Sequence, residues 1–173
     1  MPEVDEVLWP VLVLTGVVVS LCVLIHYEAL RLMIAMIVHR HSHRIAIVGV
    51  VFGLLTAHLL EIGVFALAQG LMHSIFGRSI GHLEGNVSGG FDAFYYSMVV
   101  YTTVGFGDIT PEGPIRFMTG MEALTGLVLI TWSASFTFLI MQARWGEALS
   151  KLAHRRTAVD ERATDRNRKS GST

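Results

Sequence analysis

Three apolar runs divide this chain of 173 residues, at about 8–30, 45–72 and 115–143. Each is long enough to cross a bilayer, which takes about 20 mostly apolar residues. Backbone inside lipid must satisfy its own hydrogen bonds, so such runs fold as helices. A fourth apolar stretch, 91–103, is too short to span and is expected to be a re-entrant or buried helix. The expected fold class is therefore an all-α membrane protein with three transmembrane helices and one re-entrant helix. Composition agrees: 52% of residues are hydrophobic and 16% charged, against roughly 25% charged in soluble domains. That balance excludes a disordered chain, a coiled coil and a disulfide scaffold. A net charge of −1 implies no bulk attraction to nucleic acid. The one cysteine, Cys22, lies in the first run and reads as a small buried hydrophobe.

Charge sets the expected orientation. The segment between the first two runs holds Arg31, Arg40 and Arg44. The C-terminal segment holds Arg144, Lys151, Arg155, Arg156, Arg162, Arg166, Arg168 and Lys169. Only Arg78 and Arg116 of the 13 Lys and Arg residues fall elsewhere. Positive charge favours the cytoplasmic side, which puts the N-terminus outside, 73–114 outside and the C-terminus inside. The acidic opening Glu3-Val4-Asp5-Glu6 fits an external start and not a secretory signal, which opens with positive charge. The expected location is the plasma (inner) membrane.

The outer segment carries Thr102-Thr103-Val104-Gly105-Phe106-Gly107-Asp108, after the aromatic-rich stretch 91–101 and before a turn over 109–114. Here the sequence resembles the pore module of the potassium channel family: outer helix, pore helix, a Thr-Val-Gly-Tyr-Gly-type filter and inner helix. The resemblance covers about 45–145, with the outer helix at 45–72, an external linker at 73–90, the pore helix at 91–102, the filter at 103–108 and the inner helix at 115–143. Segment 1–44 adds a transmembrane helix and a cytoplasmic connector. Segment 146–173 is a short cytoplasmic tail, expected to extend the inner helix to about 154 and then fray.

The residue types suit such a filter. Backbone carbonyls must replace the water that a potassium ion sheds. Glycine reaches positive φ without steric cost, which suits Gly105 and Gly107. The resemblance implies that the carbonyls of Thr103, Val104, Gly105 and Phe106 hold K+, that Gly107 completes the filter, and that Val104 and Phe106 point away from the axis. It also implies support from Thr102, Asp108, Tyr95 and Tyr96, the tyrosines standing where many members have a Trp pair. Phe106 replaces the commoner Tyr, as in some members, and Val99 stands where certain bacterial members place an acid. One chain carries one filter and a carbonyl ring needs four, so the expected assembly is a homotetramer with a central pore.

On the inner helix, Gly126 lies near the family's glycine hinge; hinge and close helix packing are both open. Leu127, Ile130, Ala134 and Phe138 recur at helical spacing and are candidates for the cavity lining, or for a lipid-facing stripe. Within the second run, His58 and Glu61 share a helix face. They read as a structural pair bonded to the pore helix through Ser97 or a Tyr hydroxyl, as a pH sensor, or as metal ligands. Glu122 is expected in the same network. His26 and Glu28 are expected at the inner interface.

The run His39-Arg40-His41-Ser42-His43-Arg44 reads as a solvated basic loop beside anionic lipid, with metal binding as the alternative. Asn86-Val87-Ser88 matches a glycosylation acceptor. No span carries regularly spaced Arg or Lys, so no voltage sensor is expected. No nucleophile–base arrangement is recognisable, and neither enzyme activity nor a cofactor is expected. The expected function is passive, selective K+ conduction, with lipid, K+ and further copies of the chain as partners and no nucleic acid. The alternatives are a non-selective cation channel, a non-conducting membrane subunit, and a redox protein using His26 and His58. Unmatched depths of those two histidines argue against the last.

Overall fold

The computed structural model describes residues 4–39, 43–77, 81–85 and 89–170. Its elements are α1 (Val4–His39), α2 (His43–Phe76), β1 (His82–Glu84), α3 (Gly90–Tyr101), β2 (Thr110–Glu112) and α4 (Ile115–Ser170). Three stretches are apolar and long enough to cross a membrane: Leu8–Ile37, Ile45–Phe76 and Ile115–Ala143. The first extends well past the boundary expected at residue 30. The single charged pair Glu28–Arg31 does not end it, because the two side chains neutralise each other on the helix surface at 2.9 Å.

The chain divides into two compact units, Met1–Ala134 and Ser135–Thr173. Within the first, each long helix buries one stripe. On α1 the stripe is Val11, Thr15, Val18, Cys22, His26 and Leu30, while Val13, Val17, Leu21 and Leu24 are exposed. On α2 it is Ala46, Val50, Leu54, Ala57, Glu61, Phe65, Ala68 and Met72. On α4 it is Ile115, Met118, Glu122, Thr125, Leu129 and Ser133. Steps of three and four are the helical repeat, so each stripe faces a neighbour while the remaining apolar surface is left exposed.

Small residues bring the helices close. Gly49 meets Met36, and Gly53 leaves no room for a Cβ beside the Met33 sulfur. Close approach of this kind drives helix association in a membrane, where no hydrophobic effect operates between apolar faces. Cys22 is fully buried, as expected. It shares one core with Val11 and Val18 of α1, Ile62 and Phe65 of α2, Tyr101 of α3, and Met118 and Leu129 of α4.

The segments expected to be a loose linker and a turn instead hold strands. β1 and β2 form an antiparallel ribbon pairing His82 with Glu112, Leu83 with Pro111 and Glu84 with Thr110. Gly81 and Gly85 flank β1 at φ 98° and 129°. A side chain at Gly81 would strike the Glu112 carbonyl, and one at Gly85 the Asp108 carbonyl. Local sequence did not announce this pairing because the two strands are short and separated by the pore segment.

Helix α3 starts one residue earlier than expected and ends at Tyr101, with Thr102 as its C-cap. The second unit is the remainder of α4, which runs as helix to Ser170 and does not fray at 154 as expected. Its sequence from Trp145 onward is rich in Ala, Arg and Glu, which are strong helix formers.

Candidate functional site

The segment after α3 folds back under its own helix. The Thr102 N–H donates to the Met98 carbonyl at 3.1 Å, and Thr103 donates to Val100 at 2.9 Å. Val104 and Gly105 both donate to the Val99 carbonyl, at 3.1 and 3.3 Å. The Thr102 hydroxyl caps Met98 at 2.8 Å. These bonds consume the carbonyls that a helix C-terminus leaves unpaired.

Within this segment, φ is positive at every second residue: Thr103 at 60°, Gly105 at 57° and Gly107 at 80°. Alternation of left- and right-handed residues turns successive peptide units the same way, so their carbonyls can share one side of the strand. Glycine reaches that region freely at 105 and 107. Thr103 is the only non-glycine residue with positive φ among the described residues. Such a conformation costs roughly 1–2 kcal/mol in an L-residue and is found where function requires it. Residues 102–108 are exposed, and Val104 and Phe106 are 54% and 69% exposed. Their own chain does not cover these apolar side chains.

Two tyrosines of α3 brace the loop. The Tyr95 hydroxyl donates to Asp108 Oδ2 at 3.0 Å. That carboxylate bond holds the Tyr95 phenol above its usual pKa, so it remains a donor. The buried Tyr96 shares a hydrogen bond with Thr119 of α4 at 3.0 Å. Asp92 lies in the first turn of α3, where negative charge suits the helix dipole. Val99 is buried behind the loop.

Gly126 lies on the buried face of α4, which is helical throughout, and a Cβ there would collide with the Tyr101 carbonyl. Its surroundings are those of a close-packing glycine. Leu127, Ile130 and Ala134 lie on a neighbouring, exposed face. Phe138, in the second unit, is 59% exposed.

A buried polar cluster joins all four helices of the first unit. Glu61 lies at its centre and is fully buried. His26 Nδ1 is 3.0 Å from Glu61 Oε1, and His58 Nδ1 is 3.1 Å from Oε2. The Tyr101 hydroxyl donates to Oε2 and lies 3.0 Å from His58 Nδ1. Ser133 Oγ lies 3.0 Å from His58 Nε2 and 3.3 Å from His26 Nε2. Trp132 packs against His26 with ring centroids 5.5 Å apart.

Several expectations change here. His26 is not at the inner interface but buried inside the span, and only Glu28 is exposed. The two histidines are not at unmatched depths, for their rings lie 5.3 Å apart. The partner from the pore helix is Tyr101 and not Ser97. Glu122 stands outside this cluster and accepts a 2.7 Å bond from Gln69. The tyrosine hydroxyl expected as a partner is that of Tyr101, whereas His26, Ser133 and Gln69 were not anticipated as partners. One signal was available: Thr15, Cys22 and His26 recur at helical spacing in an otherwise aliphatic run. Residues 40–42 and 86–88 lie outside the described residues, as do the side chains of His39, His43 and Arg44. The histidine run and the Asn86 acceptor are therefore not placed.

Three helices long and apolar enough to cross a membrane accompany a short helix and a backbone loop. Residues 62–143 match the family model described as ion channel, the two-membrane-helix pore module. The match covers the C-terminal part of α2, all of α3, the loop and the apolar part of α4; α1 is an addition to it. No curated protein and no solved structure matches the chain.

Proposed function

We propose that this ion channel conducts potassium selectively and passively through the backbone carbonyls of Thr103, Val104, Gly105 and Phe106. The observation that carries this reading is the alternation of positive φ at Thr103, Gly105 and Gly107, in a loop bonded to α3 and tied to Tyr95 through Asp108. A filter works by presenting a stack of carbonyls that substitutes for a hydration shell. The Thr103 hydroxyl adds an oxygen at the inner end. Helix α3 ends at the loop, so its negative terminus favours a cation beneath it.

The pore is a ring of four chains with cyclic symmetry. Exposed Val104 and Phe106 support this reading, because a neighbouring copy would cover them. The exposed stripe Leu127, Ile130 and Ala134 lines the cavity below the filter. The protein lies in the plasma membrane with its N-terminus outside and its C-terminus in the cytoplasm. Its partners are lipid, K+ and its own copies.

The test is cation flux from liposomes that hold purified protein, under opposed potassium and sodium gradients. Potassium-driven flux, blocked by barium and absent in Thr103→Ala, is expected. Equal sodium and potassium flux would discard selectivity while keeping the pore. No flux, with a dimer or monomer in cross-linking, would point to a non-conducting subunit.

A further inference from the structure

We infer that His26, His58 and Glu61 bind a divalent transition-metal ion of the zinc class, with the Tyr101 hydroxyl at the fourth position. The ion would join the N-terminal helix to the end of the pore helix. Two imidazole nitrogens and a carboxylate form a recurrent zinc donor set. Here the three donors lie within 4.8 Å of one another. They converge from two spans, and the Tyr101 oxygen approaches from a third helix, 3.0 Å from His58 Nδ1. His26 and Glu61 are fully buried, and the His58 side chain is 13% exposed. The site is closed, as structural zinc sites are.

Proton accounting at the far side of the rings favours a cation. Both histidines turn Nδ1 to Glu61 and Nε2 to the single Ser133 oxygen. If both rings carry the proton on Nδ1, two Nε2 lone pairs face one hydroxyl, which has one proton. If both carry it on Nε2, two N–H groups fill the two lone pairs of Ser133 and that end is satisfied. Both Nδ1 lone pairs then point at a carboxylate, and even with one ring of each tautomer one lone pair still faces it, a repulsion that a cation between them removes. A metal ligated through Nδ1, with each Nε2–H held by an outer partner, resolves both ends. Metal-bound histidines are regularly oriented by such a second hydrogen bond. The competing arrangement places one extra proton in the cluster, giving an imidazolium beside Glu61.

The electrostatics fit as well. The Glu61 carboxylate offsets one charge of the ion. Cys22, whose thiol lies 3.8 Å from the Glu61 carbonyl, and Trp132, stacked near His26, close the surroundings. This inference does not depend on which ion the pore conducts.

The full-length protein, expressed with added Zn2+ and purified in detergent without chelator, is expected to hold about one zinc per chain. Protein loaded instead with Co2+ should show the intense visible bands of a four-coordinate cobalt site. His26→Gln and His58→Gln should each lose the metal and the bands. Ser133→Ala keeps every ligand and should weaken metal binding roughly 10–100-fold. If the histidine variants fail to assemble, the wild-type cobalt spectrum and the Ser133→Ala affinity decide. Absence of metal and bands in wild-type protein overturns the inference. So does metal that persists in both histidine variants, or that departs with His82→Gln, since His82, Glu84 and Glu112 form a second, surface cluster. A melting temperature that ignores both added Zn2+ and chelator would show that the cluster is held by its hydrogen bonds alone.

Discussion

The carbonyl of Tyr101 occupies the space that a side chain on Gly126 would need. The end of the pore helix therefore rests directly on the backbone of the inner helix. Tyr101 is fully buried and Gly126 is buried with it.

Gly126→Ala should consequently be destabilising. Overpacking of a filled interior costs about 1–3 kcal/mol. The expected outcome is a lower melting temperature of the purified protein and reduced flux. A variant that melts like wild type and differs only in open probability would show that Gly126 acts as a hinge.

Tyr95→Phe removes the bond to Asp108 and leaves the ring in place. Single-channel bursts should shorten, and Asp108→Asn should act in the same direction. Unchanged bursts in both variants would remove this bond from the account of filter stability.

The same bond has a definite pH dependence. The Tyr95 phenol has a pKa raised above the ordinary value of 10.0 by its bond to Asp108. A raised value means that the stabilisation is complete below pH 10.0 and is lost only as pH rises through the higher, folded-state value. Bursts should therefore keep their length across neutral and mildly alkaline pH and shorten only above it. In Tyr95→Phe this alkaline step should disappear.

Gly105→Ala puts a Cβ on a residue at φ 57°. The conformational cost is roughly 1–2 kcal/mol, and it falls on the loop itself. Potassium flux should drop by roughly 5–30-fold, the factor that 1–2 kcal/mol makes in an equilibrium. Full flux in this variant would exclude the Gly105 backbone from the conduction path.

Phe106→Tyr restores a hydroxyl at the outer end of the filter. A new polar brace should slow inactivation under sustained potassium current. Identical decay of current in the two proteins would show that this position does not limit filter lifetime.

Much of the architecture was readable before any coordinates. The inner run over 115–143 coincides with the apolar part of α4, and the helix expected at 91–102 is α3 to within one residue at each end. Hydropathy and helix length are local properties, so they survive without tertiary context. The positive φ of Gly105 and Gly107 was likewise anticipated, because glycine is the residue that tolerates it. The β1–β2 ribbon was not, since its three pairs are held by partners some 28 residues apart and by no periodic pattern of their own.

The sequence by itself determined the three membrane helices, the short helix before the glycine loop, and the residue types able to form a carbonyl row. Those follow from apolar length and from backbone sterics, which act within a few residues. Only the tertiary structure decided that His26 meets Glu61, that Tyr101 and not Ser97 reaches the cluster, and that Glu122 bonds Gln69 apart from it. Each depends on the rotation and depth of one helix against another. Those are set by close contacts such as Gly53 with Met33 and Gly126 with Tyr101, which hydropathy along a single chain does not encode.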